Sequence, residues 1–266
     1  MIIGRGPRSA ILGAVFALAA NLSGSLARAD ADRAGHYTTA DGSIGFVLDL
    51  SGESPRQRFD SSPEILLLKP VAGPRGDTIY RRSDGRVVIR STPYGALTLY
   101  SAESPDGVPV LRDGEAQALL PSNRTMNEVS ALGPLFERHL ASDDHLAIHV
   151  ESPPPKLLTT QTALNTLGDA LENAYIAIDH VASMMGNTDI GASVTTIRFV
   201  ISDKRGVDMA NKTLTIRFVP REQLAGRPTS YDIAAKVRAA ILADKAAQTG
   251  ISAESLNEQH SFDFRW

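Results

Sequence analysis

Between Lys69 and Arg90 the chain sets six basic residues, Lys69, Arg75, Arg81, Arg82, Arg86 and Arg90, against only Asp77 and Asp84, although its overall formal charge is −3. A guanidinium presents its donors as a planar fork that matches the paired oxygens of carboxylates and phosphates. The stretch therefore predicts an anion-facing surface on Arg81, Arg86 and Arg90, suited to an acidic partner protein or an anionic envelope ligand. The same residues would also serve as a solvated hairpin face whose charge discourages edge pairing.

A second grouping, His139, His145 and His149 with Asp143, Asp144 and Glu151, holds metal-friendly ligand types. On a helix His145 and His149 would sit one turn apart and could grip one ion. On a strand they share a face but lie about 13 Å apart, at about 3.3 Å per residue. Leu146, Ile148 and Val150 alternate with them, which predicts the strand and leaves His145 and His149 as weak metal candidates. His139 reads as a packing residue, and His180 cannot face its helix neighbour Asp179. Ser202 to Lys212 reads as a polar surface loop; its Asp203, Asp208 and Asn211 lack the alternating oxygen ligands and closing Glu of a calcium loop.

No Gly-x-Ser-x-Gly, Ser-x-x-Lys, His-Glu-x-x-His, phosphate-loop or dinucleotide pattern is present, so no catalytic residue and no cofactor is assigned. That lowers the case for an enzyme without removing it, since catalytic groups can come from distant positions. Cysteine is absent, which excludes thiol chemistry, iron-sulfur clusters and Cys-zinc sites.

These residues need elements to position them, and the text supplies two kinds. From His36 to Ser101, short apolar runs at Gly45 to Leu50, Ile65 to Val71, Asp77 to Ser83, Arg86 to Ser91 and Ala96 to Tyr100 alternate with Gly, Pro and Asp-Gly. They predict an antiparallel β-meander. Asp84-Gly85 predicts a two-residue type I′ turn, because both central residues of that turn need positive φ. The register then pairs Arg86 with Ser83, Arg81 with Val88, Tyr80 with Ile89 and Ile79 with Arg90, placing Arg81, Arg86 and Arg90 on one face and Tyr80, Val87 and Ile89 on the core face. Ala102 to Gly114 reads as a loop or joint.

Beyond it, Thr125 with Glu128 resembles a capping box, and Gly133-Pro134 suits a helix start. Leu164, Leu167, Leu171, Tyr175, Ile178, Val181 and Met185 recur at helical spacing, predicting a helix over Thr159 to Met185 that Gly186-Asn187 ends. Val194 to Ile201 and Thr213 to Pro220 share Thr-Ile-Arg-Phe-Val and read as strands with Ile and Phe on one face. A helix capped at Thr229 or Ser230 follows, and Ser261 to Trp266 reads as a last strand. With His145 to Val150 as a first strand, the order is strand, helix, strand, strand, helix, strand, the ferredoxin-like layout on an antiparallel sheet. The fold class is thus α+β: residues 30–114 β-rich, residues 115–266 α+β, in two regions able to pack as one domain.

The run Gly76-Asp77-Thr78-Ile79-Tyr80-Arg81, through Asp84-Gly85-Arg86-Val87-Val88 to Gly95-Ala96-Leu97-Thr98, resembles an uncharacterised family of exported Gram-negative bacterial proteins catalogued as a domain of unknown function. The resemblance covers most of the mature chain and implies a periplasmic setting. Its motifs are turn and strand text, so it carries no catalytic or binding residue across.

Export is read independently from the N-terminus. Arg5 and Arg8 precede the apolar run Ala10 to Ala20, and Ala27-Arg28-Ala29 supplies the small-x-small cleavage pattern, so residues 1–29 read as a signal peptide and the mature chain as starting at Asp30. The apolar run is well short of the ~20 residues a membrane span needs, and no transmembrane segment is expected after cleavage. Without Arg5, Arg8 and Arg28, 24 basic residues face 30 acidic ones, which argues against general nucleic-acid binding. The leading reading is an exported, periplasmic, non-catalytic binding or interaction protein. An envelope hydrolase with dispersed catalytic residues and an assembly module pairing through a sheet edge stand beside it.

Overall fold

The computed structural model describes residues 34–101, 104–142, 145–250 and 254–255. The predicted leader 1–29 with its expected cleavage site at Ala27, Ala29 and Asp30, the predicted strand at Ser261 to Trp266, and Asp143, Asp144 and His260 lie outside the described residues.

The N-terminal part is a nine-stranded antiparallel sheet: β1 Ala34–Thr39, β2 Gly45–Asp49, β3 Arg56–Phe59, β4 Leu66–Leu67, β5 Lys69–Ala72, β6 Thr78–Arg81, β7 Val87–Ser91, β8 Leu97–Leu99 and β9 Val108–Glu115. Neighbours in sequence pair as the meander predicts except β4 and β5, and β1 also pairs with β9, giving the order β4-β3-β2-β1-β9-β8-β7-β6-β5. The two ends of that order, β4 and β5, are separated in the chain by Leu68 alone, so the sheet curls into a barrel-like ring. No ladder joins β4 to β5 among the described residues; these two edges are blunted instead by the shortness of β4 and by Lys69 and Pro70 on β5. Phe46, Leu48, Leu66, Ile89 and Leu99 are buried almost completely, and Tyr37 stacks on Phe46 with ring centroids 5.6 Å apart.

Ala102 to Gly114 is a correction: most of it is β9, not a joint. Its turn-forming residues are overridden because Val108–Glu115 finds partners on both sides, β8 and β1, and Pro109 sits near the strand start, where a missing N–H costs little.

The C-terminal part holds α1 Met126–Ser142, α2 Gln161–Met185, α3 Asn187–Ser193 and α4 Ser230–Thr249. The Thr125–Glu128 capping box forms, with the Thr125 amide donating to Glu128 at 2.6 Å and the Glu128 amide to Thr125 Oγ1 at 3.3 Å. The helix begins there, leaving Pro134 inside it. Thr160 caps α2 and Gly186 ends it. Leu167, Leu171, Ile178 and Val181 of its predicted stripe are buried almost completely.

The small sheet, β10 His149–Glu151, β11 Thr196–Ile201, β12 Gly206–Ala210 and β13 Thr213–Phe218, corrects the antiparallel ferredoxin-like layout. Its order is β10-β11-β13-β12; β10, β11 and β13 run parallel and only β12 is antiparallel. The cause lies in the stretch read as a loop: Gly206–Ala210 pairs back on β13 through Asn211 and Lys212, both at positive φ (48° and 59°). That is the two-residue turn with left-handed central residues whose twist matches a hairpin. Ile197, Phe199, Ile216 and Phe218 do share the buried face. One continuous apolar core runs from Phe46 in the barrel to Ile241 in α4.

Candidate functional site

The β6–β7 hairpin carries the predicted arginines, and its turn differs from the expected type. Only Gly85 has positive φ (83°). Its amide donates to the Arg82 carbonyl at 3.0 Å, and the Arg82 amide donates to the Arg86 carbonyl at 3.0 Å, so the loop has three residues, Ser83 to Gly85. This is a tight turn closed by a left-handed glycine, the next commonest hairpin connection. Tyr80 still faces Ile89 and Ile79 faces Arg90, but Arg81 pairs with Val87 instead of Val88. The one-residue bulge at Val88 moves Val87 to the side of Arg81 and sets Arg86 across from Arg82, so the two-face sorting read from the sequence fails at the hairpin tip.

The arginines nevertheless converge, because the cavity they line wraps round that tip. Arg81, Arg82, Arg86 and Arg90 border a cleft of about 640 Å³, walled by Ile79, Val87, Val88, Tyr100 and Tyr231 and by no carboxylate. Arg90 is fixed by Asp77 at 2.5 Å, Arg82 by Asp84 at 2.6 Å, and Arg81 donates to the Gly85 carbonyl at 2.6 Å. Arg82 also lies 3.4 Å from the centre of the Tyr231 ring, and Ser83 donates to Asp232, so the hairpin tip is docked on the start of α4. Four guanidinium groups against Asp77 and Asp84 leave the cleft positive. Arg238, two helical turns after Tyr231, is held below the ordinary guanidinium range by burial first and then by the charge of Arg86.

The predicted histidine grouping does not assemble. His145 lies before β10 at φ 56°, while His149 sits on β10 with Nδ1 2.7 Å from Glu137. No cluster of three or more metal-ligating side chains occurs among the described residues. His139 packs on Tyr175, with ring centroids 5.8 Å apart, beside a more apolar cleft of about 520 Å³ between α1 and α2. His180 borders that cleft too, and burial holds it below the usual imidazole value.

Two polar clusters escaped the sequence reading. One lies between the barrel and the C-terminal part: Arg227 reaches Asp169 at 3.4 Å, Glu64 at 3.7 Å and the Ile65 carbonyl at 2.9 Å, while the Ser230 amide and hydroxyl both donate to Glu64. Burial pushes the Glu64 carboxyl up, opposed by Arg227 and Ser230. The available signal was Thr166, Asp169 and Asn173 at helical spacing, a polar stripe on an otherwise buried α2.

The other is a clasp on the barrel wall, His36 Nδ1 to Asp113 at 2.5 Å and Nε2 to Asp60 at 2.8 Å. The hydrogen bonds to Asp113 and then Asp60 raise the His36 pKa above 6.5. A raised folded-state value means that the clasp contributes fully below about pH 6.5 and is lost as pH rises through the folded value. The melting temperature is therefore expected to fall as pH rises from 6.5, and His36→Gln to flatten that slope. Parallel wild-type and variant melting curves between pH 6 and 9 would show that the clasp contributes nothing.

Residues 17–237 match the family model of a domain of unknown function, DUF4908, so the chain belongs to that family. No curated protein and no solved structure matches it.

Proposed function

We propose that this chain is an exported, periplasmic binding protein without a catalytic role, and that its ligand is an anion seated against Arg81, Arg86 and Arg90. The observation that carries the reading is the 640 Å³ cleft bordered by these side chains together with Arg82 and by no carboxylate. Guanidinium forks supply paired donors for phosphate or carboxylate oxygens. Ile79, Val87, Tyr100 and Tyr231 offer apolar surface to the rest of the ligand. The leader-like N-terminus supports the compartment. The edge-pairing alternative draws less support, since the edge strand β4 is two residues long, the edge strand β5 carries Lys69 and Pro70, and Glu137 accepts the Val150 amide of β10 at 2.6 Å.

Thermal unfolding with orthophosphate, small carboxylates and divalent metals tests this. A ligand at about 100 times its dissociation constant stabilises by about 2.7 kcal/mol. An anion is expected to raise the wild-type melting temperature and to leave an Arg81→Ala, Arg86→Ala, Arg90→Ala variant unmoved. Equal shifts in both proteins, or a shift with metals alone, would overturn the assignment.

A further inference from the structure

The arginine cleft is one half of a longer basic groove. Arg81 and Arg82 border it on one side and on the other border a second cleft of about 440 Å³, to which Lys69 and Arg205 contribute. Lys69 on β5 stands directly opposite Arg81 on β6. Like charges at directly opposed positions destabilise a sheet, so this pair favours a bound anion between them. The one carboxylate bordering the second cleft, Glu222, is 45% exposed and lies 3.9 Å from Arg221.

The cations are also kept apart. Arg90 is held by Asp77, Arg82 by Asp84 and Tyr231, Arg81 by the Gly85 carbonyl, and Arg205 by the Ala225 carbonyl at 2.9 Å. Lys69 and Arg90 lie two strands and two residues apart in the register, a Cα separation of roughly 12 Å from strand spacing and rise. Cations fixed at intervals along a groove match charges repeated along a chain better than one compact ion.

We infer that the groove takes a linear oligoanion, a chain bearing several phosphate-type groups that runs from Arg86 and Arg90 across Arg81 and Arg82 to Lys69 and Arg205. The inference rests on the anion-binding reading above and deepens it. Its test is titration calorimetry of the protein with orthophosphate, tripolyphosphate and a longer linear polyphosphate, with affinities compared per phosphate group. The longer chain is expected to bind at least about tenfold tighter than orthophosphate, a difference of about 1.4 kcal/mol. Lys69→Ala with Arg205→Ala is expected to remove that gain, to leave orthophosphate affinity within about twofold, and to melt close to wild type because neither residue is buried.

Equal affinity per phosphate for short and long chains, or a Lys69, Arg205 variant that keeps the gain, overturns the oligoanion assignment while leaving the anion site in place. Wild-type protein that binds none of the three, or an Arg81, Arg86, Arg90 variant that binds all three as wild type does, overturns both.

Discussion

Arg227→Ala is expected to lower the melting temperature by about 10 °C: stranding a buried charge costs about 3–5 kcal/mol, and each kcal/mol moves a chain of this size by about 2–4 °C. The Arg227 side chain is 2% exposed and that of Glu64 fully buried. Without the guanidinium, Glu64 keeps only the Ser230 donors, Asp169 keeps Ser122, and the Ile65 carbonyl loses its donor. The pH dependence identifies the cause. Burial already raises the Glu64 pKa above 4.5, and loss of Arg227 raises it further. A carboxyl with a raised folded value favours the folded state below its unfolded value and loses that contribution as pH rises. The deficit of Arg227→Ala should therefore be smallest below about pH 4.5 and grow toward neutrality. A deficit under about 2 °C, or one independent of pH, would mean that the cluster does not hold the two parts together.

The parts of this fold legible in the sequence are those set by local periodicity and capping. The α2 stripe and its Gly186 end, the Thr125–Glu128 box, the Thr229 cap of α4 and most barrel strands follow from spacing alone, while the Thr160 cap and the return bond from Asp232 were not read. What else escaped depends on partners far away in sequence. Pro105 to Gly107 does form the turn it spells, with the Gly107 amide donating to the Ser104 carbonyl, yet the Pro- and Gly-marked text from Val108 to Gly114 becomes β9 because β1 and β8 wait on either side. Asn211-Lys212 is a two-residue hairpin turn that lacks the usual glycine, so the charged text around it hid β12. Among the site residues, Arg81, Arg86 and Arg90 stood out because their charge is anomalous for the chain. Lys69 and Arg205 gain meaning only from the register and the folded groove. The Glu64–Arg227 contact joins residues far apart in sequence, and neither carries a local mark.

Gly226→Ala is the other substitution with a large expected effect, although it changes one methyl group. The turn Pro220–Gly226 leaves the end of β13 and returns the chain to Arg227, with the Val219 amide donating to the Gly226 carbonyl at 2.7 Å and the Glu222 amide to the Val219 carbonyl at 3.1 Å. A Cβ on Gly226 would overlap the Val219 carbonyl group. Backbone inside a hydrogen-bonded neck cannot rotate aside as a side chain can, and Gln223 in the same turn already has positive φ (48°). The neck must open, which moves Arg227 away from Glu64 and the Ala225 carbonyl away from Arg205. Overpacking typically costs about 1–3 kcal/mol, and weakening of the buried pair adds to that, so a loss of at least about 3 kcal/mol is expected. Gly133→Ala is the control: there the new methyl meets only the Ser152 and Val150 side chains at ordinary contact distances of 3.7 and 3.8 Å, so the loss should be clearly smaller. Urea unfolding of the two variants checks the contrast. Equal losses, or a Gly226→Ala loss under about 1 kcal/mol, would show that the turn gives way without disturbing Arg227.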